Sequence, residues 1–219
     1  MSSCDAELRA FWAEAIGRPV TSDCIGGGLG AKRLRQARSA GRPGGVDCGV
    51  LIAVAPSQKH GHAIVMTRRS LALSSHPGEV SLPGGKREPR DPDLVATALR
   101  EAREEIGLPE ACVEVLGCLP ELDTLTGYRL HPVVGFVPEG VRYSPQESEV
   151  AEIFFLPLRV ALNARNYRPK RIQREGFGFD VAQLAFDGKI IWGATCGILY
   201  RLALSADKLA QSRDGGRPA

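Results

Sequence analysis

"GGKREPRDPDLVATALREAREEIGL", residues 84–108, places Glu101, Glu104 and Glu105 close together on what reads as one helix. Asp93, after Pro92, predicts an N-cap, and Gly107 predicts a left-handed stop. At about 100° per residue, Val95, Ala98, Leu99, Ala102 and Ile106 share a face. The small alanines would let that face lie close to a sheet. The three glutamates fall on the neighbouring arc at i, i+3, i+4, where like charges repel. The basic neighbours Arg100 and Arg103 are expected to point largely elsewhere on the wheel. A solvated face would mix signs at this spacing. Clustered hard oxygens on a rigid element suit Mg²⁺ or Mn²⁺, which prefer carboxylate, water and substrate phosphate. Just upstream, the turn of "SLPGGK" can bring backbone close to a ligand, because Gly84 and Gly85 interpose no side chain.

Working outward, "CGVLIAVA" and "HAIVMT" are short β-branched apolar runs separated by polar residues, and predict neighbouring strands. After the helix, "CVEVLGCL", "HPVVGFV" and "EVAEIFFLPL" predict further strands, the last running into a helix-like "LRVALNA". "FDVAQLAFDGKIIWGA" predicts a strand pair turning at Asp187-Gly188. "TCGILYRLALSADKLA" predicts a closing helix. Strands outnumber helices without regular alternation, so the expected fold class is α/β of mixed α+β character: a mixed β-sheet sandwiched between helices. Residues 1–45 are expected to form a short amphipathic helix (5–16) and a Gly/Arg-rich linker, residues 46–206 the main domain, and residues 207–219 a disordered tail. The linker, residues 26–45, holds seven glycines and five basic residues without an acid. It reads as a flexible connection, or as an arm that touches phosphate.

The composition excludes several classes. A chain of 219 residues with 43% hydrophobic and 24% charged residues builds an ordinary globular core. A net charge of +3, from 28 basic and 25 acidic residues, gives no nucleic-acid or anionic-membrane signature. The six cysteines include no C-x-x-C pair, which argues against zinc and for reduced thiols. The N-terminus has no basic region followed by an apolar run, and no stretch reaches the roughly 18 apolar residues of a membrane span. A cytoplasmic location is expected.

The residues of the opening stretch resemble the Nudix hydrolase box, G-x5-E-x7-R-E-U-x-E-E-x-G-U with U aliphatic. Arg100 to Leu108 match its second half, with Ala102 in the first U position. The first half departs: Asp91 stands where the box has Glu, and eight residues in place of seven separate it from Arg100. The extra residue is expected to be absorbed in the loop "REPRDPD". A second stretch, "MTRRSLALSSHPGEVSLPGG", is similar to one carried by the coenzyme A pyrophosphatase branch. It matches at Thr67, Arg69, Ser70, Gly78, Pro83, Gly84 and Gly85, and departs at Ser74 (Arg in the branch) and Leu82 (Phe).

The resemblance implies a Nudix fold and a metal-dependent hydrolase of a nucleoside diphosphate linked to another group. It implies Mg²⁺ or Mn²⁺ on Glu101, Glu104, Glu105 and the Gly84 carbonyl, with Arg100 orienting the glutamates. The general base would be Glu101 or a loop acid, Glu149 or Glu147, with Glu149 preferred because it precedes an apolar strand. The implied substrate is a CoA-like nucleotide, cleaved to 3′,5′-ADP and 4′-phosphopantetheine. Its phosphates would meet Arg68, Arg69, Lys86, Arg87 and the backbone at Gly85. Tyr128 reads as a half-buried strand residue that could stack on a base, and His131 as structural. Other nucleoside diphosphate derivatives (ADP-ribose, NADH, dinucleoside polyphosphates) and a non-catalytic nucleotide sensor are the alternatives. No nucleic-acid or membrane partner is expected, and a homodimer is compatible with the sequence.

Overall fold

The computed structural model describes residues 8–14, 45–174 and 177–214. Its spine is β1 (Val46–Ser57), in which Leu51, Ile52, Ala53 and Val54 are all fully buried. A run buried on both faces means that the strand is covered from both sides. β1 turns into β2 (Gly61–Arg69), with Val54 opposite Ile64, and pairs in parallel with β7 (Tyr128–Phe136), Cys48 opposite Leu130. β3 (Val80–Ser81) and β8 (Val150–Pro157) pair with β2, and β4 (Gly84–Lys86) pairs with β1. β5 (Glu114–Cys118) and β6 (Leu122–Asp123) pair with β7, completing an eight-stranded mixed sheet.

Helices cover both faces, as the composition of β1 requires. Helix α1 (residues 8–14) buries Trp12 completely against the even-numbered side chains of β1. α2 (Leu94–Ile106) covers the opposite face, packing Ala98, Ala102 and Ile106 on Leu51, Ala53 and Val133. The short helix α3 (Leu158–Ala161) follows β8. A three-stranded antiparallel sheet, β9 (Tyr167–Arg174), β10 (Phe177–Phe186) and β11 (Lys189–Ile191), leads into α4 (Gly193–Asp214), whose Ile198, Leu199 and Leu202 join the α1 side. The β10–β11 turn falls at Asp187-Gly188 as expected, with φ of 48° and 70°.

Three expectations need adjustment. The helix expected at residues 5–16 is described over 8–14, and the linker through residue 44 lies outside the described residues. The final helix continues through Asp214, so residues 207–214 are helical rather than tail; residues 215–219 lie outside the described residues. β9 was not expected, because "YRPKRIQR" has no apolar alternation; it pairs only with β10 among the described strands, a position that tolerates Pro169. Among the described residues, no helix is long and apolar enough to cross a membrane.

The sheet opens where the site lies. β1 pairs with β2 at Val54–Ser57, but further back it pairs with β4 at Cys48–Val50. The Leu51 N–H donates to the Pro83 carbonyl at 2.8 Å, so the Pro-Gly-Gly turn is inserted between the diverging strands. β2 continues alongside β8, bringing Arg69 opposite Val150 and next to Glu149.

Candidate functional site

Helix α2 begins and ends as the sequence predicts. The Asp93 carboxylate accepts from Ala96 N–H at 2.8 Å, and Gly107 ends the helix at φ 66°. Its close seat on the sheet depends on Gly49, where an added Cβ would lie 2.4 Å from the Leu94 carbonyl oxygen and 2.7 Å from Ala98 N.

The loop before the helix is held by side chains. Arg87 donates through Nη2 to the Asp91 and Pro92 carbonyls at 3.2 and 2.9 Å, so its charge closes the loop. The buried Asp91 carboxylate accepts from Glu88 N–H at 2.9 Å, Thr97 Oγ1 at 3.0 Å, and Arg100 Nε and Nη2 at 2.9 and 3.0 Å. The extra loop residue therefore leaves a bidentate Asp91–Arg100 pair intact. Hydrogen bonding to Arg100 holds the Asp91 carboxyl well below the usual carboxylate range, and Asp91 in turn pushes the guanidinium above its ordinary value.

Arg100 is 5% exposed and does not point away from the glutamates, contrary to the helical-wheel expectation. Its other donors reach the Lys86 carbonyl at 3.0 Å, Glu101 Oε1 at 2.9 Å and Glu104 Oε2 at 2.8 Å. All five guanidinium N–H groups thus have an acceptor. The wheel failed because Asp91 reaches over the helix start and supplies Arg100 with a buried counter-charge that periodicity cannot represent.

The glutamates divide into two kinds. Glu104 is 39% exposed and is met by Arg90, Arg100 and Arg103 at 3.2, 2.8 and 3.3 Å. Glu101 and Glu105 face the glycine turn. A Cβ on Gly85 would fall 2.4–2.6 Å from the Glu101 carboxylate, and Gly84 N–H donates to Glu105 Oε2 at 3.2 Å. Burial pushes the Glu105 carboxyl up to about 8, helped by the charges of Glu101 and Glu149 and opposed by the Gly84 amide and Arg69. Burial also raises Glu101, against the pull of Arg100, and Glu104 and Glu149 raise it further.

Glu149, on the exposed turn before β8, therefore adds its charge to the pair, while its carbonyl accepts from Ser70 N–H at 2.7 Å. Glu147 is exposed on the same turn. Arg69 approaches Glu105 from β2, and its Nε is buried without a hydrogen-bond partner. Arg68 is exposed. Lys86 is exposed, with Nζ 5.6 Å from the centroid of the Tyr128 ring. His131 Nε2 pairs with Asp47 at 2.9 Å, in keeping with a structural role.

The fold thus brings Glu101, Glu105, Gly84, Gly85, Arg69 and Glu149 to one place. Among the described residues it forms no ready cluster of three or more acid, histidine or cysteine side chains positioned for a metal, because Glu104 is turned toward its arginines. The donor set still fits a hard divalent cation. Glu105 is 5% exposed with a single amide donor, two acidic neighbours and the opposing charge of Arg69, a carboxylate that burial leaves poorly compensated. Sequence reading missed Thr97, which ties Asp91 to the helix, and Cys48, whose thiol burial pushes up to about 11 beside Lys86 and Glu101. Cys48 has no local signal, since its partners are distant in sequence, and Thr97 matters through the loop residue Asp91, which lies outside the helical period.

Comparison with known proteins gives a match to the NUDIX domain over residues 49–174. A protein of Enterobacter sp. described as the uncharacterized Nudix hydrolase NudL is 40% identical over 71% of this chain and 80% of its own length. One of Escherichia coli with the same description is 42% identical over 64% of this chain and 73% of its own length. Among solved structures, a Nudix hydrolase from M. smegmatis aligns with a TM-score of 0.45 and 19% identity, covering 80% of this chain and 90% of that one.

Proposed function

The chain belongs to the Nudix family, and from that premise we propose that it cleaves the diphosphate of coenzyme A or its thioesters, releasing 3′,5′-ADP and 4′-phosphopantetheine or its acyl derivative. Nudix hydrolases act on pyrophosphate bonds in small nucleotide derivatives and generally use Mg²⁺ or Mn²⁺. The observation that carries the catalytic reading is a pair of carboxylates against the Gly84-Gly85 turn, the half-buried Glu101 held by Arg100 and the buried Glu105, both pushed up by burial. The coenzyme A assignment is supported by the "TRRS…HPGEVSLPGG" segment, whose Arg69 and Gly84 both act on Glu105.

A bound divalent cation would supply neutralisation of the diphosphate and a more acidic water. Glu101 and Glu105 would hold it, with the Gly84 carbonyl beside them and Glu104 recruited from its arginines. The protein's own groups do the rest. Arg100, anchored by Asp91, fixes the directions of Glu101 and Glu104. Arg69, whose charge reaches Glu105, is a cation close to the carboxylates for a phosphate oxygen to meet. Glu149, close enough to raise both glutamates yet exposed to solvent, takes a proton from the attacking water.

The test is incubation with Mg²⁺ and a panel of coenzyme A, acetyl-coenzyme A, ADP-ribose, NADH and a dinucleoside polyphosphate, with products identified by mass. The expected outcome is highest kcat/KM for a coenzyme A compound and release of 3′,5′-ADP. Preference for ADP-ribose overturns the substrate assignment, and no turnover of any compound overturns the catalytic reading.

A further inference from the structure

Glu149 ends a segment, residues 138–149 between β7 and β8, that is exposed at every position except Val141 and Tyr143. These two side chains turn inward and pack on the core that α2 builds with β1. The Tyr143 ring meets Phe155 of β8 edge-on, with 5.6 Å between ring centroids. Burial pushes the Tyr143 hydroxyl up to about 12, so the side chain stays neutral in that core. From Ser144 to Glu149 every residue is exposed, so side-chain burial holds the segment at Val141 and Tyr143 alone.

The backbone that follows Tyr143 closes the open end of α2. The last carbonyls of a helix have no partner within it. Here Ser144 N–H donates to the Ile106 carbonyl and Gln146 N–H to the Glu105 carbonyl, each at 2.9 Å. The Gln146 carbonyl accepts in turn from Glu149 N–H and Val150 N–H, each at 2.8 Å. The Glu149 carbonyl accepts from Ser70 N–H, just past the end of β2, at 2.7 Å. A continuous backbone path, Glu105 to Gln146 to Glu149 to Ser70, therefore joins the helix of the carboxylates to the edge of β2 and runs through Glu149.

We propose that Tyr143 is a positioning residue for Glu149. Its ring seats the segment on α2, and that seat sets where the Glu149 carboxylate stands relative to Glu101 and Glu105. This rests on the reading of Glu149 as the general base and adds the group that places it. With the ring removed, the segment leaves the helix end and the carboxylate loses its place. The glutamates of α2 keep theirs, because Asp93 and Gly107 cap the helix and Arg100 and the Gly84 amide hold their side chains. A general base contributes about a hundredfold or more, and a misplacement of about 1 Å can forfeit much of that. The loss falls on kcat, since Tyr143 acts through Glu149 and not through a contact with substrate.

The test uses full-length Y143A, Y143F, E149Q and the Y143A/E149Q double variant, with Mg²⁺ and the compound of the panel above that the wild type hydrolyses fastest. Hydrogen exchange is expected to quicken about tenfold or more at the amides of residues 144–150 in Y143A and to change little in α2. E149Q is expected to lower kcat by about a hundredfold, and Y143A by about tenfold at unchanged KM and unchanged Mg²⁺ requirement. Y143F, the conservative variant that keeps the ring, is expected to restore wild-type exchange and kcat. The double variant is expected to be no slower than E149Q, since Tyr143 then has no base to place. Losses that add in the double variant, a shifted Mg²⁺ requirement, or a Y143A protein that keeps its kcat or its amide protection overturn the inference and leave the base reading standing. E149Q with full kcat overturns the base reading, and the inference falls with it. If Y143A does not fold, Y143L, which keeps apolar bulk without the ring, carries the same comparison.

Discussion

Glu105 and Arg100 are both ionisable and both 5% exposed, yet their surroundings treat them oppositely. Arg100 has an acceptor for every donor, whereas Glu105 has one amide at 3.2 Å and acidic neighbours. Breaking a buried pair leaves its other half uncompensated, so Arg100→Met, which removes the charge that Asp91 faces, should destabilise by about 3–5 kcal/mol in denaturant titration and reduce turnover together. Glu105→Gln should instead keep the fold, seen by circular dichroism, while turnover falls by about a hundredfold or more through loss of metal assistance. Glu105 also predicts a pH dependence. Its folded value, about 8, lies above the 4.5 of a freely solvated glutamate, so the metal-free fold binds the extra proton between them. That contribution is complete below about 4.5 and is lost as pH rises through about 8. The melting temperature of the metal-free protein should therefore decline over that window, less so in Glu105→Gln, and Mg²⁺ should restore more of it at the alkaline end.

At the scale of the element, two glycines make different demands on α2. A Cβ on Gly49 meets backbone, the Leu94 oxygen at 2.4 Å, which can yield only if the helix lifts from the sheet. Gly49→Ala should cost about 1–3 kcal/mol as an overpacked contact and impair activity with stability. A Cβ on Gly85 meets the far end of the Glu101 side chain, which can swing aside by giving up its Arg100 contact. Gly85→Ala should therefore melt within about 0.5 kcal/mol of wild type and yet be nearly inactive, a separation that melting and kcat measured on the same preparations would reveal. The limits of α2 were legible in the sequence because a cap is local: Asp93 and Gly107 act on backbone within five residues. The direction of Arg100 was not, because its partner Asp91 lies outside the helix, across a loop that helical periodicity ignores.

Across the whole molecule, Trp12 shows how far the chain preceding the matched region belongs to the fold. It is fully buried in the core that β1 and α4 build, and Arg9 on the same helix pairs with Glu114 and stacks on Phe136. Trp12→Ala should lower stability by about 3–5 kcal/mol in chemical denaturation, although it touches none of the candidate catalytic groups. A melting curve indistinguishable from wild type would show α1 to be a dispensable attachment.

The sequence alone determined the mixed architecture, the strand-rich order, the limits of α2 and the presence of three glutamates on one arc, because period and capping are set within a few residues. Only the tertiary structure decided which of those glutamates lose water. That depends on the Pro-Gly-Gly turn inserted where β1 and β2 diverge, on Asp91 drawing Arg100 inward, and on β8 bringing Glu149 beside Arg69. Desolvation and charge compensation come from neighbours beyond the helix itself, from nine residues away for Asp91 to several tens for Arg69 and Glu149, and no helical period records them.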